Sequence, residues 1–257
     1  MVRRGAQASP HPHPSLQSRI NVTGESPPAG LHSSINFTEQ ELALGRNIIE
    51  TCRDLERRGL NQGTSGNVSV RLGKNMDDGF LITPTAMPYD VMQPEDMAHV
   101  RFDGGRNGRH EPSSEWRFHL DIYRKRPEVA AVIHTHSGFS TTLASLRRGI
   151  PAFHYMVALF GGNDIRCCDY ATYGTQELSD LVLQALEGRS AALMGNHGLI
   201  VLGPSLQRAL ALTVEAETLA MMYWRAIQIA EPHLLSDAEI ARVREKFANY
   251  GYGGTAK

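Results

Sequence analysis

The chain has 257 residues, 41% of them apolar and 21% charged, which is typical of a globular domain with a full core. A formal net charge of −1 at pH 7 gives no electrostatic reason to expect nucleic acid or an anionic membrane as a partner. No apolar run reaches the roughly 18 residues of a membrane-spanning helix. Three cysteines without a CxxC pair favour a reduced, cytoplasmic protein.

The first 35 residues differ in composition from the rest of the chain. They are rich in proline, serine, glycine and histidine, and they show neither helical nor strand periodicity. Such a composition is typical of disordered segments. We therefore predict a disordered extension over 1–35 and one folded domain over 36–257. A targeting peptide is the weaker alternative for the extension, because prolines interrupt any amphipathic pattern.

The first predicted helix begins with a capping box. Thr38 is its N-cap and Glu41 follows three residues later, ahead of apolar residues at helical spacing. Gly59 is predicted to end this helix. A glycine-rich segment over 63–67 then leads into a short alternating strand at 68–71.

The later elements mix strands and helices without regular βαβ alternation. This pattern indicates the α/β class, as a single domain with a central mixed or antiparallel sheet flanked by helices. Ser113-Ser114 is predicted to provide the N-cap of the helix that starts at Trp116. In chain order, the remaining predicted elements are strand 80–82, helix 116–125, strand 129–136, helix 139–146, strands 191–194 and 199–202, and helices 205–229 and 236–247.

Two histidines close the buried strand predicted at 129–136. Side chains two residues apart on a strand point to the same face, so His134 and His136 lie side by side, with Cβ atoms roughly 6–7 Å apart. Two imidazoles at that spacing can share one metal ion. The strand therefore predicts a metal site at its end.

A metal site needs a third ligand and usually a fourth. His197 is the candidate third ligand, because it lies in a glycine-bounded bend between two apolar runs. Glu115 is the candidate fourth ligand or general base, in a first helical turn where the dipole favours a carboxylate. Taken singly, each is better explained as a core histidine or a helix-terminal carboxylate. A same-face pair together with a loop histidine favours the metal site.

Loops rich in glycine and hydroxyl groups are candidates for anion binding. Gly66-Asn67 and Ser113-Ser114 can offer N–H groups, hydroxyls and an amide to a phosphate. Thr64, Ser65 and the 83–85 segment could add to them. No GxxxxGK[ST] or GxGxxG motif points to nucleotides, and no Gly-x-Ser-x-Gly elbow points to acyl transfer.

Taken together, these motifs resemble the class II aldolase/adducin family. The similar segments occur in the family's order, from about residue 40 to 252. They are 59–71, 81–85, 112–119, the strand of His134 and His136, 150–156, and 196–200.

The resemblance implies a lyase that reversibly cleaves a ketose 1-phosphate, similar to L-fuculose 1-phosphate, to dihydroxyacetone phosphate and an aldehyde. It implies Zn²⁺, with Mn²⁺ or Co²⁺ as alternatives, and a homotetramer with sites between subunits. Tyr155 would reach in from a neighbouring subunit as an acid, and Tyr250 would close over the site. Glu115 would be both a movable metal ligand and the general base. The implied metal ligands are Glu115, His134, His136 and His197, and the implied phosphate contacts are Gly66, Asn67, Thr85, Ser113 and Ser114.

Two positions depart from the family pattern. Ala86 follows Thr85 where the family usually has glycine, so its methyl group could narrow the phosphate pocket or alter the backbone. Asn196 precedes His197 where members that act on fuculose have another histidine, which weakens an assignment to fucose metabolism.

Other interpretations assign a different substrate or a different function to the same family fold. Aldolases of 5-deoxyribulose or 5-methylthioribulose 1-phosphate would use the same metal and phosphate contacts, and L-ribulose-5-phosphate 4-epimerases share the chemistry. Glu115 and Tyr155 favour an aldolase over an epimerase. A non-catalytic, adducin-like interaction domain is the alternative from a different class, and the clustered candidate ligands argue against it.

Overall fold

The computed structural model describes residues 36–73 and 78–249. The extension predicted over 1–35 and the role predicted for Tyr250 lie outside these residues. Within them, no helix has the length and apolarity that crossing a membrane requires.

The described residues form one sheet of nine strands in the order β4-β3-β2-β1-β5-β9-β8-β7-β6. Among these strands only β7 and β8 are parallel neighbours, and the other pairings are antiparallel. The predicted α/β fold with a mixed, largely antiparallel sheet is therefore confirmed. The strands are β1 (Asn67–Arg71), β2 (Phe80–Ile82), β3 (Ala98–Val100), β4 (Arg106–Asn107), β5 (Ala131–Thr135), β6 (Ile150–Pro151), β7 (Asp164–Cys168), β8 (Ala191–Met194) and β9 (Gly198–Gly203).

Helices cover both faces of this sheet. Helices α2 and α4 share one apolar cluster with the sheet, while α3 and α5 pack in a second cluster and α1 in a third. Short 3-10 helices occur at Pro94–Asp96 and Tyr155–Phe160. The helices are α1 (Glu39–Arg57), α2 (Trp116–Lys125), α3 (Gly138–Ser145), α4 (Gln176–Ala185), α5 (Leu206–Ile227) and α6 (Asp237–Asn249).

The start of α1 follows the predicted capping box. The N–H of Glu41 donates to Thr38 Oγ1 over 3.2 Å, and the N–H of Thr38 donates to a Glu41 carboxylate oxygen over 2.7 Å. The helix ends at Arg57, and Gly59 follows with a φ of 68°, a left-handed conformation that glycine adopts without strain.

The predicted serine N-cap of α2 is wrong. Glu115 occupies the N-cap position, and its side chain makes no capping bond among the described residues. Its N–H donates to Ser113 Oγ over 3.4 Å. The Glu115 side chain instead faces the histidines, so a tertiary contact replaces the local capping preference.

Strand β5 lies in the middle of the sheet, and all five of its residues are buried. Val132 and Ile133 have no exposed surface, and truncating such a side chain to alanine costs about 2–5 kcal/mol. Alternation places Val132 and His134 on the face that α2 covers. The register sets His134 opposite Asn67 of β1 and Ile200 of β9. The observed strand starts at Ala131 and ends at Thr135, so His136, the last residue of the predicted strand, lies just beyond it.

Candidate active site

Three histidine side chains converge at one end of the sheet. His134 comes from β5, His136 follows that strand, and His197 lies in the hairpin between β8 and β9. One nitrogen of each ring lies within 4.8 Å of the other two, a spacing that could hold one metal ion. The ring centroids are 4.8–5.0 Å apart, and the Nε2 atoms of His134 and His136 are separated by 3.1 Å. The predicted same-face pair and its loop partner are therefore brought together.

The fully buried ring of His134 has a defined tautomer. Its Nδ1 lies 2.9 Å from the carbonyl oxygen of Leu199 on the adjacent strand β9. A carbonyl only accepts hydrogen bonds, so Nδ1 carries a proton, and in a neutral ring the lone pair is then on Nε2. The Nε2 lone pair consequently faces the other two histidines, which is the arrangement found in metal-binding imidazoles.

The hairpin that carries His197 lies unusually close to the other two ligands. A Cβ atom added to Gly198 would be 2.4 Å from the Thr135 carbonyl and 3.1 Å from atoms of both His134 and His136. Only glycine permits this approach. Asn196 adopts a φ of 53°, which asparagine tolerates better than most residues.

Glu115 completes the cluster from the start of α2. One carboxylate oxygen, Oε2, lies 3.2 Å from His134 Nε2, and the other, Oε1, lies 3.1 Å from His197 Nε2. Oε2 also accepts a hydrogen bond from Asn67 Nδ2 over 2.9 Å. Burial alone would raise the pKa of Glu115, but the adjacent His134 and His197 outweigh it and hold the pKa far below its ordinary value. The buried carboxylate is therefore ionised at neutral pH.

These donors fit a divalent cation. Glu115 Oε1 is buried and has no hydrogen-bond partner among the described residues, although it faces His197. Separations of 3.1–3.2 Å between the facing atoms leave room for one ion at about 2.0–2.1 Å from each donor. Three imidazole nitrogens and a carboxylate are a donor set that first-row divalent metals accept.

A cavity of about 380 Å³ opens beside the cluster. Glu115, His136 and His197 line one side of this cavity, and hydroxyl-bearing side chains line much of the rest. Its other lining residues are Thr64, Ser65, Thr85, Ala86, Ser114, Tyr170, Tyr173 and Asn196.

The predicted phosphate contacts divide into two groups. Thr85 and Ser114 are exposed and line the cavity. Ser113 is buried, and its N–H donates to the Thr83 carbonyl over 3.0 Å. Asn67 directs its amide at Glu115. Gly66 is buried too, and a Cβ there would be 2.6 Å from the His134 carbonyl. Their assignment to phosphate binding stays a prediction.

Ala86 keeps a glycine-like backbone. Its φ is 53°, in the left-handed region where a Cβ atom is strained by roughly 1–2 kcal/mol. The residue also lines the cavity, so its methyl group faces the same space as Thr85. An alanine at this position therefore carries a cost in backbone strain.

Tyr155 is not among the residues that line the cavity. It is 49% exposed and contacts the rings of His154 and Phe247, with centroid separations of 4.8 and 6.2 Å. Its predicted action in a neighbouring subunit stays a prediction.

Sequence reasoning missed three residues at or near the site. Tyr170 and Tyr173, 52% and 65% exposed, follow β7 and line the cavity without any local pattern to mark them. His119 is buried behind Glu115 and did leave a signal. It follows Glu115 by four residues, a spacing that places both on one face of a helix.

A family model described as the Class II Aldolase and Adducin N-terminal domain matches residues 46–224. The match covers more than half of the chain and includes the three histidines and Glu115. The chain belongs to the class II aldolase and adducin family. Its predicted family, fold class and aldehyde-lyase class are confirmed.

Similar proteins have related activities. This class II aldolase is 52% identical over 210 residues to a 5-methylthioribulose-1-phosphate/5-deoxyribulose-1-phosphate aldolase of Rhodospirillum rubrum, covering 82% of this chain and 93% of the relative. It is 50% identical over 213 residues to the L-fuculose phosphate aldolase of Escherichia coli, covering 81% and 95%. A solved L-fuculose 1-phosphate aldolase has a TM-score of 0.76 and 36% identity, covering 80% of this chain and 96% of that one.

Proposed function

We propose that this class II aldolase reversibly cleaves a ketose 1-phosphate, of the L-fuculose 1-phosphate type, to dihydroxyacetone phosphate and an aldehyde. The observation that carries the proposal is the convergence of three imidazoles and Glu115 beside a hydroxyl-lined cavity. Two relatives of at least 50% identity, both named as aldolases of phosphorylated ketoses, support the substrate class. The catalytic domain in this proposal comprises residues 36–257.

The ligands proposed for the cation are His134, His136 and His197, with Glu115 as a fourth that can leave. Zinc is the proposed ion, since three imidazoles and a carboxylate suit it, and Mn²⁺ or Co²⁺ are alternatives. When bound, the cation supplies Lewis-acid stabilisation of the negative charge that develops on the carbonyl oxygen during C3–C4 cleavage.

Glu115 is the proposed general base. Cleavage leaves a carbanion equivalent at C3 of the dihydroxyacetone phosphate half, which becomes C1 of the free product and takes up a proton there. A carboxylate positioned beside that carbon can deliver the proton and, in the reverse direction, remove it. Oε1 has no hydrogen-bond partner among the described residues, so it is the oxygen suited to this transfer.

The substrate phosphate is proposed to bind beside Thr85 and Ser114. Their hydroxyls line the cavity and can donate to phosphate oxygens without a lysine. Gly66, Asn67 and Ser113 complete the proposed phosphate contacts.

We further propose a homotetramer with sites between subunits. In this assembly Tyr155 of a neighbouring subunit protonates the aldehyde oxygen, and Tyr250 closes over the substrate.

A second group of ketose 1-phosphates is also a candidate substrate. The 52% identity to the Rhodospirillum rubrum relative, and Asn196 in place of a histidine, favour a 5-deoxyribulose or 5-methylthioribulose 1-phosphate. An L-ribulose-5-phosphate 4-epimerase and a non-catalytic adducin-like domain have no such support.

The test is a comparison of substrates with metal-replete and chelator-treated enzyme. We expect dihydroxyacetone phosphate to be released from at least one ketose 1-phosphate, to cease after chelation and to return with Zn²⁺. The panel comprises L-fuculose, 5-deoxyribulose and 5-methylthioribulose 1-phosphates, with L-ribulose 5-phosphate as the epimerase substrate. Epimerisation of the last without cleavage of the others would contradict the proposal, as would release that survives complete metal removal.

A further inference from the structure

A chain of buried polar groups runs behind Glu115, between β1 and α2. Glu115, His119 and Tyr123 follow one another at intervals of four residues, and Asn67 and Ser69 share one face of β1. Each group on one element contacts the next group on the other. All five residues are at most 5% exposed, so their polar groups must find partners within the protein.

The hydrogen bonds of this chain are short. Asn67 Nδ2 donates to Glu115 Oε2 over 2.9 Å, and Asn67 Oδ1 lies 2.6 Å from His119 Nε2. Ser69 Oγ lies 2.7 Å from His119 Nδ1 and 2.8 Å from Tyr123 Oη.

The carboxylate at one end determines the direction of every bond. A carboxylate only accepts, so the NH₂ group of Asn67 must face Glu115 and its carbonyl must face His119. His119 Nε2 therefore carries the proton, which leaves Nδ1 to accept from the Ser69 hydroxyl. Ser69 in turn accepts from Tyr123. Reversing any one bond would set two acceptors or two donors against each other.

Packing holds the central ring of this chain in place. The ring of His119 stacks on Phe118, with centroids 4.8 Å apart and planes inclined by 26°, and on Phe80 at 6.4 Å and 22°. Burial, with a smaller contribution from His134, lowers the pKa of His119 to about 3. The ring is accordingly neutral at physiological pH, in agreement with the single proton that the hydrogen bonds require.

We propose that His119 is a positioning residue, which acts with Ser69 through the Asn67 amide to hold Glu115 Oε2 in place. With Oε2 held, Oε1 is left to exchange a proton with the substrate carbon. The inference rests on the proposed function, and it predicts an effect on proton transfer that exceeds any effect on substrate affinity.

The decisive comparison is between His119→Gln and His119→Phe. Glutamine can place a donor where Nε2 lies, whereas phenylalanine fills the space and leaves the Asn67 carbonyl without a donor. We expect His119→Phe to slow solvent exchange of the C1 proton of dihydroxyacetone phosphate by roughly 10- to 100-fold, the range typical of groups behind a metal site. The KM for dihydroxyacetone phosphate should change less than threefold, and His119→Gln should recover most of the rate.

Several outcomes would overturn the inference. Equal impairment in His119→Phe and His119→Gln would mean that packing, not the donor, matters, and unchanged exchange in His119→Phe would remove the role altogether. If His119→Phe does not fold, His119→Asn replaces it, because asparagine offers its polar atoms near Nδ1 and not near Nε2. His119→Asn must then be slower than His119→Gln, and the reverse order would overturn the inference.

Controls separate this inference from its premises. Thr213→Val removes a buried hydroxyl of α5 that donates to the Ala209 carbonyl of the same helix, and it should leave exchange unchanged. Zinc content should stay at one ion per chain in the His119 variants, because the three histidine ligands are intact. If wild-type enzyme shows no exchange at all, the proposed function itself fails. If wild type exchanges and the variants match it, only the role of His119 fails.

A measurement without turnover completes the test. Nitrogen NMR of ¹⁵N-histidine-labelled, metal-free protein, with the His119 signals assigned from their loss in His119→Gln, reports which ring nitrogen carries a proton. We expect a neutral ring protonated at Nε2 at pH 7. A ring protonated at Nδ1, or at both nitrogens, would contradict the direction of the chain and overturn the inference.

Discussion

The two halves of the ligand cluster are held in different ways. His134 and Glu115 form a wall that is 0% and 5% exposed, anchored in the central strand and at the start of α2. His136 and His197 form a rim, beyond the end of β5 and in a hairpin, and both are partly exposed. The wall is fixed by regular secondary structure, whereas the rim needs additional contacts to be held in place.

The rim obtains those contacts from two distant parts of the chain. Helix α3 starts directly after His136, and its N-cap residue, Ser137, makes no side-chain capping bond to its own helix. Glu217 of α5 caps it instead, accepting hydrogen bonds from the N–H groups of Phe139 and Ser140 over 2.7 and 2.9 Å. A carboxylate at a helix N-terminus is also favoured by the helix dipole.

On the other side of the rim, Asn196 is held next to His197. Arg147 Nε donates to Asn196 Oδ1 over 2.8 Å, and the N–H of Asn196 donates to the Ala144 carbonyl over 3.1 Å. Both rim histidines are therefore positioned through α3. We therefore expect substitutions in the wall and in the rim to have different effects on stability and on metal binding.

The largest effect is expected from removal of a ligand. His134→Ala and His136→Ala should both lose bound metal and activity, by more than the roughly 10²–10⁴-fold that a general base contributes. Only His134→Ala should also lower the free energy of unfolding strongly, by about 2–4 kcal/mol, because it leaves a core cavity and removes the buried hydrogen bond to the Leu199 carbonyl. Metal analysis and denaturant titration measure the two effects. Full activity in a metal-free His136→Ala enzyme would refute the site.

Glu115→Gln tests the wall in a second way. The amide keeps the shape of the side chain but cannot take up a proton, so C1 exchange should fall by about 10²–10⁴-fold. The variant should still bind the cation through its three histidines. Exchange at the wild-type rate would remove Glu115 from the role of base.

Acid should destabilise the metal-free protein through its buried histidines. Burial, aided by neighbouring histidines, lowers the pKa of His136 to about 4, and the pKa of His119 is lowered to about 3. Between these values and about 6.5 the unfolded chain binds more protons than the folded one, so stability is lost as the pH falls through that window. For His119 the loss approaches about 1.4 kcal/mol per pH unit.

Urea unfolding of metal-free protein at pH 7, 6 and 5 measures this loss. His119→Gln removes one of the two titrating groups, so the dependence on pH should be shallower than in wild type. An identical dependence in the two proteins would show that His119 is not neutral in the folded state.

Glu217→Ala should weaken the rim and leave the wall intact. Loss of the cap should cost about 1–2 kcal/mol of stability and lower metal affinity by roughly 10-fold through the displacement of His136. Glu245→Ala, which removes an exposed carboxylate of α6, is the matched control and should change neither. Zinc titration distinguishes the pair, and equal affinities would mean that the cap does not support the ligand.

The smallest effect is expected at the edge of the cavity. Ala86→Gly should relieve left-handed strain and stabilise the protein by about 0.5–1 kcal/mol. Ala241→Gly, in the interior of α6, is a control of opposite sign and should destabilise by a similar amount. Thermal unfolding compares the two, and destabilisation by Ala86→Gly would contradict the strain.

The wall was more predictable from sequence than the rim. The apolar run of β5 predicts a buried strand, and the two-residue period correctly places the His134 and His136 side chains on the same face. Helix α2 was predicted with its correct bounds, yet its cap was not, because the contact of Glu115 with two distant histidines overrides the preference for serine. Local patterns carry no information about such a contact.

The strands that escaped prediction are short or lie towards one edge of the sheet. Strands β4 and β6 have two residues each, too few for any periodicity to register. Helix α4 did carry a signal, since Thr175 caps it by accepting from the N–H of Leu178, and this signal was missed. Glu217 had no local signal, because its partners are nearly eighty residues away in sequence.

The register of β5 with its two neighbouring strands determines whether a folded chain can bind a metal ion. A slip of one residue would turn His134 towards α5 and present Ile133 to the other ligands, since successive side chains alternate between faces. Molecules with a misaligned sheet would then lack the means to retain an ion. Metal occupancy in a purified sample should thus report what fraction of the chains has folded in the correct alignment.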